Sequence, residues 1–591
     1  MILLAFLQAV ALTGGTVHTM VAGEAPKVMT IVIDGERIQA IGPDARVPDG
    51  ARKIDVAGTH LVPGLIDGMV NHDSDHDRLY VSSGVTLVRD VGNDLVRSLA
   101  ERDPDARDRG PGPALWCSGA VLDGMPPATT SAVVLTSPED AAEKLPRLFD
   151  LDLNFVSLYQ GLSIPTWHKA IELAKKRNLQ VWGPVTRGAT LRDVVASGQD
   201  GLYYLEAFLP PHATWDKLAP ADWKESVDLV AGSKLAITPV LGLIAQRLVP
   251  RNDNAPQLAY LGPFYIVSWM ADLEVRRSIV NKEYLEAGAR VVDTQGKLLK
   301  ALYDRGVVLV PGSASPNPWL FPGDALIDEL ALWARAGIPH DAILRMVTAG
   351  AAHSIGADRD RGTLEAGKIA DIDVLKADPA ANIGNLRNPE MVVLRGHVHD
   401  RAGLDLLRSD LRTREQKLQE AAFRPLPIKE PELPFGDVLL RGVVETRTFG
   451  QRVSGESYGV VRRPDKSLVY CGHMLTPGSA STADTDVQIT QTIAGDELTA
   501  FTVHIAAGQR TIDVNGTLVG GSMNIERHID GGFVDNVPRK ERFALIDVGS
   551  VTTALALGQR RETGKFRALY LEDIDPAMAD FEMHVDKDGT H

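Results

Sequence analysis

Between residues 71 and 77 the chain reads Asn71-His72-Asp73-Ser74-Asp75-His76-Asp77, five imidazole or carboxylate side chains in seven residues. Those are the donors that hold zinc and similar divalent ions, and His72 and His76, four apart, would share a face on a helix. A closed site needs further donors from other elements, and a polar, solvated loop with capping aspartates satisfies the same spelling. A second motif, Gly455-Glu456-Ser457-Tyr458-Gly459, matches the G-x-S-x-G of a nucleophile elbow. That elbow exposes a serine only where a strand turns sharply into a helix. Here VVRRP and another strand-like run follow, so the context is an antiparallel hairpin and Ser457 is expected to be structural. His353, His397, His473, His504 and His528 share no ligand spacing and are expected as surface or hydrogen-bonded residues. The catalytic residues are therefore unknown from local motifs alone. With two cysteines, Cys117 and Cys471, neither a disulfide framework nor a four-thiolate metal site can be built.

The elements that must position these groups follow from composition and pattern. The chain has 591 residues, 44% hydrophobic and 24% charged, which excludes a disordered chain or a fibrous repeat and implies several folding units. Its 62 basic residues against 77 acidic ones give a net charge of −15, so nucleic acid has no general electrostatic attraction here. Residues 1–11 are apolar, too short to span a bilayer, and lack the basic start of a secretory signal; they mark export if cleaved and otherwise a cytoplasmic chain with an early strand. No other run reaches transmembrane length.

Asp34-Gly35-Glu36 separates two β-rich runs as a hairpin turn, and similar runs return at 371–375 and 391–399. Between them eight buried-strand patterns (60–67, 84–90, 113–119, 154–159, 180–185, 201–206, 236–242 and 307–313) alternate with helical stretches. Ser137, Thr190 and the Pro165 region supply helix starts. Eight such repeats predict an α/β fold: a (β/α)8 TIM-like barrel over 60–361, with a small composite β-sandwich from 1–59 and 362–403. A charged helix and a proline-rich linker fill 404–436, and long alternating strands predict a C-terminal antiparallel all-β domain over 437–591.

LVPGLIDGMVNHD followed by GVTLVRDVG, together with NFVSLYQGLS, VWGPVTRG, DGLYYLEAF, PGSASPNP and the coda RGTLEAGKIADIDVLKADP, resembles the amidohydrolase superfamily, in its imidazolonepropionase-like and prolidase-like branch. The resemblance implies metal-assisted hydrolysis at the C-terminal mouth of a barrel, with one or two divalent ions activating water. The family's two first-strand histidines fall here on Met69 and Asn71, its strand-four lysine on Ser157, and its strand-five histidine on Pro184. Its strand-six histidine falls on Tyr204 and its strand-eight aspartate on Ala314. Thioether, amide, hydroxyl, ring methylene, phenol and methyl do not make a ligand set for a hard or borderline cation. The expectation is a pseudoenzyme with no metal and no cofactor.

What remains at the mouth is a candidate pocket of Met69, Asn71, His72, Asp90, Ser157, Tyr159, Trp182, Tyr204 and Ser315, in which the inward-facing members of Met69, Asn71, Ser157, Tyr159, Trp182, Tyr203 and Tyr204 would make a neutral surface of mixed apolar and hydroxyl character. Strand alternation predicts that Tyr203 and Tyr204 do not both face it. Two functions are open. One is a non-catalytic scaffold or binding protein for a small neutral or apolar ligand or a protein partner, with the β domain mediating the interaction and a homodimer permitted by the resemblance. The other is an active hydrolase of C–N bonds, metal-independent or using His72, Asp73 and His76.

Overall fold

The computed structural model describes residues 9–102, 110–129, 131–248, 255–423, 426–448, 451–476, 484–495, 497–530, 532–539, 543–546, 564–570 and 578–583. The leader expectation for residues 1–11 lies outside these for its first eight positions; from Val10 the chain is already strand. The described chain divides into two compact units, residues 1–261 with 268–412, and residues 262–267 with 413–591. No helix among the described residues is long and apolar enough to cross a membrane.

In the first unit, both flanks of the chain build one sheet. Val10–Val17, Lys27–Asp34, Arg37–Gly42, Arg52–Asp55 and His60–Pro63 come from the N-terminal side, and Ile372–Leu375, Met391–Leu394 and His397–Asp400 from the far side. The flanks join where His60–Pro63 pairs antiparallel with Ile372–Leu375. The run read as one strand over 60–67 is thus broken at Gly64: its first half belongs to this sheet, and Leu65–Val70 begins a parallel set. The backbone changes partners there, Gly64 N–H donating to Asp371 carbonyl and Leu65 N–H to Gly84 carbonyl, each 2.9 Å, and only glycine fits, because a Cβ at Gly64 would lie 2.3 Å from the Thr86 hydroxyl oxygen.

The parallel set is TIM-barrel-like. Leu65–Val70, Val85–Asp90 and Ala114–Cys117 form one group; Phe155–Ser157, Gln180–Gly183, Gly201–Tyr203 and Ala236–Thr238 form another. Asn154 N–H donates to Cys117 carbonyl at 3.1 Å between the groups. The eighth expected strand, 307–313, pairs through single bonds: Ile237 N–H to Val308 carbonyl, Val310 N–H to Ile237 carbonyl, and Gly68 N–H to Pro311 carbonyl, each 2.9 Å. Gly68 and Gly312 permit that last approach, since Cβ atoms there would lie 2.7 Å from Pro311 carbonyl oxygen and 2.6 Å from Met69 Cβ.

The helices start where the sequence places them. Ser137 caps Pro138–Phe149, Ser163 caps Ile164–Lys176, and Thr190 with Asp193 makes a capping box for Leu191–Ser197. Their apolar faces meet the outward side chains of the strands in one core, including Trp167, Trp223 and Trp333. A separate buried cluster gathers Ile66, Leu87, Phe155, Trp182, Tyr203 and Val310 from the parallel strands and the 307–313 segment.

In the second unit, eight antiparallel strands run in sequence order from Asp437–Thr448 to Gly532–Arg539. Alternate residues such as Ile489, Phe501, Val503 and Val514 are buried on one face. Ser457 lies in the middle of the strand Gln451–Arg462, with its hydroxyl donated to the Lys429 carbonyl.

Candidate functional site at the strand ends

The C-terminal ends of the parallel strands enclose a cavity of about 320 Å³, lined by Met69, Asn71, Ser157, Tyr159, Pro184, Tyr203, Tyr204, Arg247 and Asn317 among others. Five of the six positions where the resemblance expects metal ligands therefore share one cavity. The sixth, Ala314, is fully buried beside it, its N–H donating to Met69 carbonyl at 2.8 Å. Among the described residues no imidazole or carboxylate lines this cavity, and the one charged lining residue is Arg247.

Tyr203 and Tyr204 both line it, against the alternation expectation. The strand ends at Tyr203, and Tyr204 has φ of 68°, a left-handed turn that swings its ring back to the side its neighbour faces. Ala314, at φ 54°, has the same unusual backbone. Burial raises the Tyr204 phenol, with Tyr159 and Glu206 adding to the effect, so the ring is a neutral wall and not a phenolate ligand.

Below this layer, Arg89 is fully buried with its guanidinium carbon 3.9 Å from the centre of the Trp182 ring and 4.1 Å from that of Phe155. Nη2 approaches the Tyr203 hydroxyl at 3.4 Å, whereas Nε and Nη1 have no hydrogen-bond partner. Desolvation pushes the guanidinium down to about 10, with Tyr203 and Asp200 opposing, which still leaves it charged at neutral pH. Trp182, expected as a wall of the pocket, is instead one face of this stack and does not line the cavity.

Nor do His72, Asp90 and Ser315 line it. The 71–77 stretch is no solvated loop: His72, Asp73, Ser74, His76 and Asp77 are all buried. Ser74–His76 is a single 3-10 turn capped by Asp73, so His72 precedes any helix and does not stack one turn below His76. His72 Nε2 lies 2.8 Å from Asp77 Oδ1 and Nδ1 lies 3.3 Å from Glu101 Oε2, while Arg97 bridges Asp73 and Glu101. Desolvation would raise the Glu101 carboxyl, but bonds from His72, Ser74 and Arg97 outweigh it and hold the group down at about 2. Asp90 accepts the His72 N–H at 3.1 Å and is pushed up to about 6 by burial, against the pull of His72 and its hydrogen bonds. Ser315 Oγ lies 2.9 Å from the Tyr80 hydroxyl and 2.9 Å from Ser313 Oγ, and the Ser315 N–H donates to Ser313 Oγ at 3.1 Å. Ser313 in turn donates N–H and hydroxyl to Asp67, a carboxyl that burial raises to about 7.

Sequence reasoning missed two groups here. Arg89 hid in an apolar run, although an arginine at an interior strand position is itself a signal. Glu329 is fully buried, accepts the N–H groups of Leu241 and Gly242 and the Trp333 indole, and is raised to about 7 by desolvation. Nothing in its helical surroundings distinguishes it from a surface acid.

Residues 286–399 match the sequence model of the amidohydrolase family. The fold is similar to that of bottromycin amidohydrolase (20% identity, TM-score 0.57, 68% of this chain and 90% of that one). It is also similar to a putative prolidase from Bifidobacterium longum (20%, 0.53, 69% and 99%) and to a Xaa-Pro dipeptidase with methionine bound in its active site (15%, 0.51, 66% and 100%). At such identities the likeness is one of fold. No curated protein sequence matches the chain.

Proposed function

We infer that this chain, a member of the amidohydrolase superfamily, keeps its relatives' barrel as a binding body and has lost their metal chemistry. The seven parallel strands and the 307–313 segment are read as one closed (β/α)8 barrel. The observation that carries the inference is the mouth cavity. Its walls include five of the six expected ligand positions, and they offer thioether, amide, hydroxyl and phenol, with neither imidazole nor carboxylate among the described residues. Those donors do not fit the family's ion. The charged Arg89 guanidinium, one side chain below Tyr203, further disfavours a dication.

Such a cavity suits a small, neutral, partly apolar ligand, gripped by Asn71, Ser157 and the tyrosines. The antiparallel unit would add a second binding surface for a ligand or protein partner. A cavity of about 390 Å³ on that unit, between Leu433 and Pro434 of the linker and Cys471, Ile489 and His504 of the sheet, supports this. The competing atypical site at His72, Asp73 and His76 is disfavoured because an imidazole bonded to carboxylates through both nitrogens presents no lone pair to an ion.

The test is hydrolysis of amide, lactone and Xaa-Pro dipeptide substrates with and without a chelator. No turnover above the chelated control is expected. Turnover abolished by His72→Ala with His76→Ala would establish the competing reading.

A further inference from the structure

The composite sheet gathers three donors that no motif connects and that do not line the mouth cavity. His18 follows the strand Val10–Val17, its N–H donating to Leu61 carbonyl at 2.8 Å. His60 opens its own strand, opposite Thr16 on one side and Leu375 on the other. Asp378 lies three residues beyond Leu375. The register alone therefore brings both flanks of the chain to one point.

His18 Nε2 and His60 Nδ1 are 3.0 Å apart, and Asp378 Oδ1 is 3.7 Å from the first and 4.0 Å from the second. The circle through three atoms so spaced has a radius of about 2.1 Å, the length of a zinc–nitrogen or zinc–carboxylate bond. Hydrogen bonding accounts for the histidine pair but not for the carboxylate, which faces both imidazoles from beyond bonding distance. Asp378 Oδ1 accepts the Ala380 N–H at 2.8 Å, an outer contact that fixes its orientation. Asp378 is 40% exposed and His60 23%, which leaves a route for the ion and a fourth position for water. Among the described residues this is the one group of three or more His, Cys, Asp or Glu side chains with ligand atoms close enough to share an ion.

We propose that His18, His60 and Asp378 form a structural site for a borderline divalent ion, zinc in the first instance, which clamps the two chain flanks in the composite sheet. The ion would close long loops and stabilise the first unit, independently of any chemistry at the mouth.

The experiment uses the full chain stripped of metal, then equilibrated with Zn2+ or Co2+. About one equivalent is expected, with the visible absorption of four-coordinate Co2+ and a rise in melting temperature of the first unit. His60→Gln and Asp378→Asn, both partly exposed, should each weaken binding by more than the roughly 10–100-fold typical of an outer-shell loss. Asn71→Ala at the mouth should leave the affinity unchanged, and tryptophan emission identical to the parent's establishes that each variant is folded. Failure to bind either ion, or equal binding by all three variants, overturns the proposal.

Discussion

Arg89→Met tests the reading of the barrel interior with a sign that is easily wrong. A fall from 12.5 to about 10 corresponds, at about 1.36 kcal/mol per pKa unit, to about 3 kcal/mol spent on keeping the guanidinium charged in the core. Stacking on Trp182 and Phe155 returns about 1–2 kcal/mol of this. Methionine has similar length, needs no hydrogen bond and fills irregular gaps. The variant should therefore be more stable by about 1–2 kcal/mol at pH 7, whereas Arg89→Ala, which leaves a cavity, should be less stable. All eight tryptophans lie in the first unit, so tryptophan emission during urea unfolding reports that unit alone. A loss of more than about 1 kcal/mol in Arg89→Met would refute the reasoning and would mean that the guanidinium is held by an anion in solution.

Three further outcomes follow from the same region. Asp67 titrates near 7 when folded and at 3.8 unfolded, so its contribution is fully present below pH 3.8 and is lost as pH rises through 7; Asp67→Asn should flatten the stability profile between pH 4 and 8, by up to about 4 kcal/mol at pH 8. Glu101, held at about 2, contributes above pH 4.5 and loses that contribution as pH falls towards 2; Glu101→Gln should cost about 1–3 kcal/mol at pH 7 and much less at pH 3, read by the same emission. At Tyr204, alanine keeps the left-handed strain and glycine relieves it, so Tyr204→Gly should be about 1 kcal/mol more stable than Tyr204→Ala, the reverse of the usual order in melting curves.

The fold was legible because periodicity and caps are local. Ser137, Ser163 and Thr190 begin helices by satisfying their own backbone, and the strand runs announce burial on both faces. Gly64 was not legible as a break, because the Thr86 side chain that requires it lies on another strand. The placement of Met69, Asn71, Ser157, Pro184 and Tyr204 around one cavity followed from strand ends, but the facing of Tyr204 depended on a single backbone dihedral that no residue type encodes. The 71–77 stretch looked solvated because its polarity is visible in sequence, while its partners Asp90, Arg97 and Glu101 come from later segments. The His18, His60 and Asp378 cluster depends wholly on strand register across the barrel segment and has no sequence signature.

The central claim, a barrel mouth without a metal site, is tested most directly by elemental mass spectrometry on the unchelated His60→Gln variant, which removes the ion proposed for the composite sheet. Less than about a tenth of an equivalent of zinc, manganese, iron, cobalt or nickel per chain is expected, since intact sites of the family's kind hold their ions tightly. One or two equivalents in that variant would contradict the account and return the mouth to metal-dependent hydrolysis.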